Sequence, residues 1–206
     1  MHSRCVCSDL SNSLERHLME EAKVPFVGMS LAGRILVARP DLDDPRFNAT
    51  LMLLLEHGSE GALGVVINRP SNLELADAFP DWEDMGAEPN VVFSGGPVDH
   101  DALIALGRPS REDGALVLGA HPVDLDDQPA LVEASGVSAV RVFAGYAGWE
   151  AGQLEGEIAN DDWWVVEATI DDLFTGDPDR LWAKVLRRQG GELAWYAHFP
   201  ANPSLN

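Results

Sequence analysis

Leu51-Met52-Leu53-Leu54-Leu55-Glu56-His57-Gly58-Ser59-Glu60-Gly61-Ala62-Leu63-Gly64-Val65-Val66-Ile67-Asn68-Arg69-Pro70 is the stretch on which the fold turns. Leu51 to Leu55 is an apolar run of strand length that stops at His57-Gly58. Val65-Val66-Ile67 is β-branched, follows Gly61 and Gly64, and is bounded by Asn68-Arg69-Pro70. Two such runs with a glycine-bearing reversal between them predict a β-hairpin at the centre of the chain.

Working outward, Arg34-Ile35-Leu36-Val37-Ala38 reads as a strand between Gly33 and Pro40, and Asp41-Leu42-Asp43-Asp44-Pro45 as a turn. On the other side, Leu73, Leu75, Ala76 and Phe79 suit a short helix and residues 80–89 a loop. Val91-Val92-Phe93 predicts a strand that ends at Ser94-Gly95-Gly96-Pro97. Further strands are expected at 102–106, 116–118, 140–143 and 163–168, with a helical turn at 130–135 and a helix at 149–158. Leu173, Leu181, Trp182, Val185 and Leu186 mark a final amphipathic helix, and Arg187 and Arg188 stand where cations complement its dipole.

Strands outnumber helices and several connections are hairpin-short. The expected class is therefore α+β (mixed α/β): one compact domain with a largely antiparallel mixed sheet and flanking helices. The chain has 206 residues, enough for one sizeable core. The domain is expected over 26–206, with 1–25 a flexible N-terminal extension. In that extension Leu10, Leu14, Leu18 and Ala22 form a narrow apolar stripe that Pro25 would stop.

Charge sets the main exclusions. Asp and Glu number 34 against 14 Lys and Arg, a net charge of −20. Phosphate neutralisation drives nucleic-acid binding, so no direct nucleic-acid contact is expected. Cys5 and Cys7 are the only cysteines, which leaves the body of the chain without a disulfide, thiolate zinc site or nucleophilic thiol. No run approaches the length of a membrane helix, and residues 1–25 carry Glu15, Arg16, Glu20, Glu21 and Lys23 where a signal peptide would be apolar. A cytoplasmic protein without membrane contact is expected, with a monomer as the default.

The residue types that carry chemistry cluster at predicted strand ends. Glu56 and His57 close one strand, Asn68 and Arg69 the next, and Ser94-Gly95-Gly96 a third. Converging on one cleft, they would offer a general base in His57, an anion clamp in Arg69 and backbone N–H groups in the glycine turn. The competing reading is turn chemistry, with Glu56 pairing Arg69 to tie two reversals together. Tyr146 and Trp149, set among glycines in Gly145-Tyr146-Ala147-Gly148-Trp149, could cover the core or line an aromatic slot that Gln153 would serve. His57, His100, His121 and His198 lack ligand spacing, so no metal is expected. Phosphate-loop, nucleophile-elbow and dinucleotide signatures are absent, so no cofactor is expected and enzymatic activity stays open.

Several short motifs, in order, resemble one bacterial family. They are Ala38-Arg39-Pro40 with Asp44-Pro45-Arg46-Phe47; Glu56-His57 with Gly61-Ala62-Leu63-Gly64; Val66-Ile67-Asn68-Arg69-Pro70; Gly95-Gly96-Pro97-Val98; Gly145 to Trp149 with Gly152-Gln153-Leu154-Glu155; and Trp163-Trp164. Together, across residues 30–186, they resemble the AlgH/YqgE family. The resemblance implies a single α/β domain with a strongly curved, partly barrel-like sheet. Members are often labelled transcriptional regulators of alginate synthesis, and no catalytic residue or cofactor transfers with the likeness. It implies a regulatory or binding protein acting through an unknown protein or small-molecule partner; the alternative is an enzyme or a nucleotide- or anion-binding protein with a cleft at strand ends.

Overall fold

The computed structural model describes residues 29–39, 49–111 and 117–198. The N-terminal stripe, Cys5, Cys7 and the Asp41 to Phe47 turn lie outside them. The strands are β1 (Arg34–Ala38), β2 (Leu51–Gly58), β3 (Gly61–Val66), β4 (Pro70–Glu74), β5 (Val91–Ser94), β6 (Val98–Pro109), β7 (His121–Val123), β8 (Val137–Glu150) and β9 (Trp163–Glu167). The helices are α1 (Leu75–Ala78), α2 (Pro129–Ala134), α3 (Gln153–Ala159), α4 (Ile170–Leu173), α5 (Pro178–Gln189) and α6 (Gly191–Tyr196).

Among the described residues the strands form one mixed sheet in the order β4-β5-β8-β3-β2-β1-β9, with β6 on β8 and β7 on β6. The β5–β8 pair is parallel and the other named pairs are antiparallel. The path has open ends at β4 and β9, so the sheet is not closed into a barrel. The predicted β2–β3 hairpin is present, with a bulge between Leu54 and Glu56.

Why the central runs are apolar without alternation is clear from their packing. Ile35 and Val37, with Leu51 and Leu53, bury on one face in a core that includes Leu181, Trp182, Val185 and Leu186 of α5. Leu36 and Ala38, with Met52 and Leu54, bury on the other face against Trp149, Leu154 and Trp163. Strands covered on both sides read as continuous apolar runs. A third cluster, Leu75, Trp82, Val92, Ala105, Val140 and Val142, lies under α1 and the 3₁₀ turn at Pro80–Met85.

Four local expectations are revised. Residues 80–89 are not all loop, because Pro80 opens that 3₁₀ turn. Pro70–Glu74 is an edge strand ahead of the short helix, a position that tolerates proline. Val117–Gly119 is a tight turn rather than a strand, and Leu116 lies outside the described residues. The helix expected from Trp149 starts instead at Gln153: Trp149 and Glu150 still pair with Ala62 and Gly61, and Gly152 at φ 77° makes the break.

Strand β8 holds the architecture together, because it pairs with β3, β5 and β6. That crowding leaves no room for side chains at the crossing. A Cβ on Gly95 would stand 2.2 Å from the Gly145 carbonyl oxygen, and one on Gly96 2.1 Å from the Tyr146 carbonyl carbon. A Cβ on Gly61 would stand 2.1 Å from the Trp149 carbonyl oxygen. These glycines permit strand backbones to touch, a demand stronger than the turn geometry inferred from sequence.

Two arginines tie elements together in different ways, Arg188 of α5 from an exposed position and Arg141 of β8 from within the core. Asp172, fully buried, accepts from Arg188 through both carboxylate oxygens at 2.8 and 2.7 Å, and from the Thr169 N–H at 2.8 Å. The Asp172 hydrogen bonds hold the Arg188 guanidinium above its ordinary pKa. Arg141 of β8 instead has no carboxylate in hydrogen-bond range among the described residues: its Nη2 donates to the Glu88 and Thr175 carbonyls at 2.6 and 3.1 Å, and its guanidinium lies 4.2 Å from the Phe93 ring centre. Burial lowers its pKa to about 10.

Gly96→Ala should cost more than about 3 kcal/mol or prevent folding, since backbone cannot yield to a methyl group. Gly156→Ala, inside α3 with open space around it, should stabilise by about 0.5–1 kcal/mol. Urea denaturation of the two variants checks the contrast.

Candidate functional site

The hairpin separates the predicted polar groups into two sets. Glu56 is opposite Leu63 near the β2–β3 turn, whereas Asn68 and Arg69 follow the far end of β3. Six residues of extended chain, about 20 Å, lie between those ends. Glu56 and Arg69 therefore do not pair, and the ten candidate residues do not line one cleft.

Asn68, Arg69 and Ser94 do meet. The Asn68 amide caps the approach to β2, accepting from the Leu51 N–H at 3.0 Å and donating to the Ala49 carbonyl at 2.8 Å. Arg69 donates from Nη2 to the buried Thr50 hydroxyl at 2.7 Å, and burial lowers its pKa. The Ser94 N–H donates to the Arg69 carbonyl at 2.9 Å, and the Gly95 N–H to the Ala144 carbonyl at 2.8 Å. These two backbone donors, proposed from sequence as an anion cradle, are spent on strand pairing. Gly96 lies against Tyr146, which is half-buried and packs on the main core.

At the other end, His57, Trp149 and Gln153 come together with Glu155 and Trp163, which the sequence offered only as motif residues, and with Glu157, which sequence reasoning did not single out. The His57 side chain is 7% exposed. Its Nδ1 accepts from the Leu31 N–H at 3.2 Å, which requires the neutral ring to carry its proton on Nε2. Nε2 stands 3.2 Å from Glu155 Oε1, close enough for attraction but outside hydrogen-bond geometry. A general base needs a free acceptor nitrogen, and here that nitrogen is occupied by backbone. Glu157 Oε2 accepts from both indoles, Trp149 and Trp163, at 2.8 Å each, while Oε1 accepts from Gln153 at 2.9 Å. One carboxylate thus joins β8, α3 and β9. The aromatic pair is core, with ring centres 6.4 Å apart in an edge-on arrangement.

Among the described residues, open concave surface lies elsewhere, on either side of the β6–β7 ribbon. Successive β6 residues face opposite ways. Ile104 and Leu106, with Leu55, Leu63, Ala120 and Glu56, line a trough of about 370 Å³. On the opposite side, Phe79, Leu125, Asp124, Asp126 and Asp127 line a broader hollow of about 660 Å³. Leu103, Ala105, Pro122 and Val123 border both. Of the predicted site residues, Glu56 alone is in this surface. The sequence signals were Leu103, apolar after Asp99-His100-Asp101, and Asp124-Leu125-Asp126-Asp127, which read as an ordinary turn.

With this sheet and its glycine crossing described, the comparisons with known proteins agree. The family model described as AlgH-like matches residues 35–194. The chain belongs to the AlgH-like family. It is 48% identical over 186 residues to a UPF0301 protein of Streptomyces coelicolor, covering 86% of this chain and 96% of that one. A UPF0301 protein of Thermobifida fusca is 45% identical over 194 residues, with the same coverage. Among solved structures, a Corynebacterium diphtheriae protein superposes with a TM-score of 0.75 at 28% identity, covering 81% of this chain and 91% of that one. The solution structure of AlgH from Pseudomonas aeruginosa gives 0.61 at 30% identity, covering 84% and 96%. Membership in the AlgH-like family assigns the fold and no reaction.

Glu157→Gln replaces an acceptor oxygen with a donor opposite N–H groups and should destabilise by about 1–3 kcal/mol. Denaturation followed by tryptophan fluorescence tests this, and an unchanged midpoint would remove Glu157 from its structural role.

Proposed function

We propose that this AlgH-like protein is a cytoplasmic binding or regulatory protein that works through a protein or small-molecule partner held at the β6 trough, without touching DNA. The observation that carries this reading is the trough itself: aliphatic walls from four strands and one carboxylate, Glu56. Concave apolar surface with few polar groups is the usual form of a binding site. Around it, no nucleophile and base stand in contact among the described residues, and the polar strand ends are engaged in holding the fold.

Electrostatics supports the exclusion of DNA. Arg34, Arg39, Arg108, Arg180 and Arg188 each have a carboxylate neighbour, on Glu167, Asp161, Asp171, Asp177 and Asp172. Those five cations do not present a free stripe to a phosphate backbone. No described helix is long and apolar enough to cross a membrane.

N-phenyl-1-naphthylamine, a neutral apolar probe, should bind saturably at one site with enhanced fluorescence. Ile104→Trp, which fills the trough, should weaken it by roughly tenfold or more, while Arg69→Ala leaves it unchanged. Unsaturable binding, or indifference to Ile104→Trp, would reject the trough. A gel shift showing tight sequence-specific binding of bare DNA near physiological salt would reject the no-contact clause.

A further inference from the structure

The two hollows on either side of β6 differ in charge, and the difference names a partner. Strand β7 covers β6 only from Ala105 to Gly107, where Ala105 faces Val123. Beyond Val123 the chain leaves β6 into the Asp124 to Asp127 turn. That turn is fixed, because the Asp126 N–H donates to Asp124 Oδ1 at 3.0 Å and the Trp82 indole N–H to the Leu125 carbonyl at 3.1 Å. Leu103 is left 45% exposed at the point where the cover ends.

Asp124, Asp126 and Asp127 are exposed along the hollow, and none has a cationic neighbour among the described residues. The same is true of Glu56 across the ribbon. Neither hollow is lined by Lys, Arg or His. In a chain of net charge −20, four unneutralised carboxylates beside aliphatic surface repel one another, and a cationic ligand relieves that repulsion.

Resting on the reading of the trough as a binding surface, we infer that its occupant is an extended basic segment of a partner protein. Aliphatic side chains on one face of the segment enter the trough over Leu103, and lysines or arginines on the other face meet the Asp124 to Asp127 rim. An extended peptide alternates its side chains between two faces, which suits two hollows of different character on either side of one strand end. Charge supplies the encounter rate and salt dependence, and Leu103 with the trough supplies the apolar anchor.

The test is calorimetric titration of the full chain with a blocked octapeptide of alternating lysine and valine. Matched peptides carry glutamate for every lysine, or serine for every valine. The account expects the lysine–valine peptide to bind, roughly tenfold more weakly at about 300 mM than at about 50 mM salt. The glutamate peptide should not bind, and the lysine–serine peptide should lose roughly tenfold. Leu103→Glu, at an exposed position, should cost roughly tenfold. The triple variant Asp124→Asn, Asp126→Asn, Asp127→Asn should weaken binding and flatten its salt dependence. The charge-matched control Glu60→Gln, Asp179→Asn, Glu192→Gln should leave binding near the parent value.

Equal binding of the lysine–valine and lysine–serine peptides, or equal loss in both triple variants, would reduce the effect to general attraction by an acidic chain and overturn the inference. If the neutral probe binds the trough but the basic peptide does not, this partner class falls and the trough reading survives. If neither binds, both fall.

Discussion

Contact between strand backbones at β8 is the constraint on which the rest of the structure depends. β8 joins the part of the sheet built on β1, β2, β3 and β9 to the part built on β4, β5, β6 and β7. Gly61, Gly64, Gly95 and Gly96 each leave space that a methyl group would fill at less than 3 Å from a backbone atom of a neighbouring strand. The side chains missing there are replaced by the two-sided aliphatic packing of β1 and β2. Dense packing under the helical layer and bare backbone at the crossing are therefore parts of one arrangement.

The polar groups nearest that crossing are consumed by it. Asn68 satisfies a donor and an acceptor that strand pairing leaves open, and His57 accepts from the backbone just before β1. Glu157 collects two indoles and an amide where β8, α3 and β9 converge. Buried polar atoms are costly without partners, so a sheet with this many irregular ends needs such side chains for its own completion. Residues that look catalytic in isolation serve as internal solvent for the backbone.

Much of the fold was legible because apolar runs and glycine or proline punctuation are local properties. The hairpin from Leu51 to Val66, the strand at Trp163 and the amphipathic helix ending near Arg188 all follow from pattern alone. What failed were inferences about where elements go in space. The order of strands depends on pairing partners that no window of sequence contains. Trp149 follows small residues and precedes a helical pattern, so its place on β8 is decided by Ala62, nearly ninety residues upstream. The candidate site was misplaced for the same reason: strand ends adjacent in sequence proved to be opposite ends of one hairpin. Leu103 and the Asp124 turn were visible as residues, but only the pairing of Ala105 with Val123 brings them together.

The interior thus explains the crossing glycines, Trp149, Trp163 and the strand-end polar residues, and the β6–β7 ribbon is a surface where exposed apolar side chains adjoin unneutralised acid. The measurement that tests this division most directly is backbone amide NMR of the full chain during titration with the basic alternating peptide. The account predicts shifts concentrated at Leu103, Ile104, Val123 and Asp124 to Asp127, with Asn68, Arg69 and Ser94 unmoved. Shifts concentrated at Asn68, Arg69 and Ser94, with the ribbon silent, would contradict it.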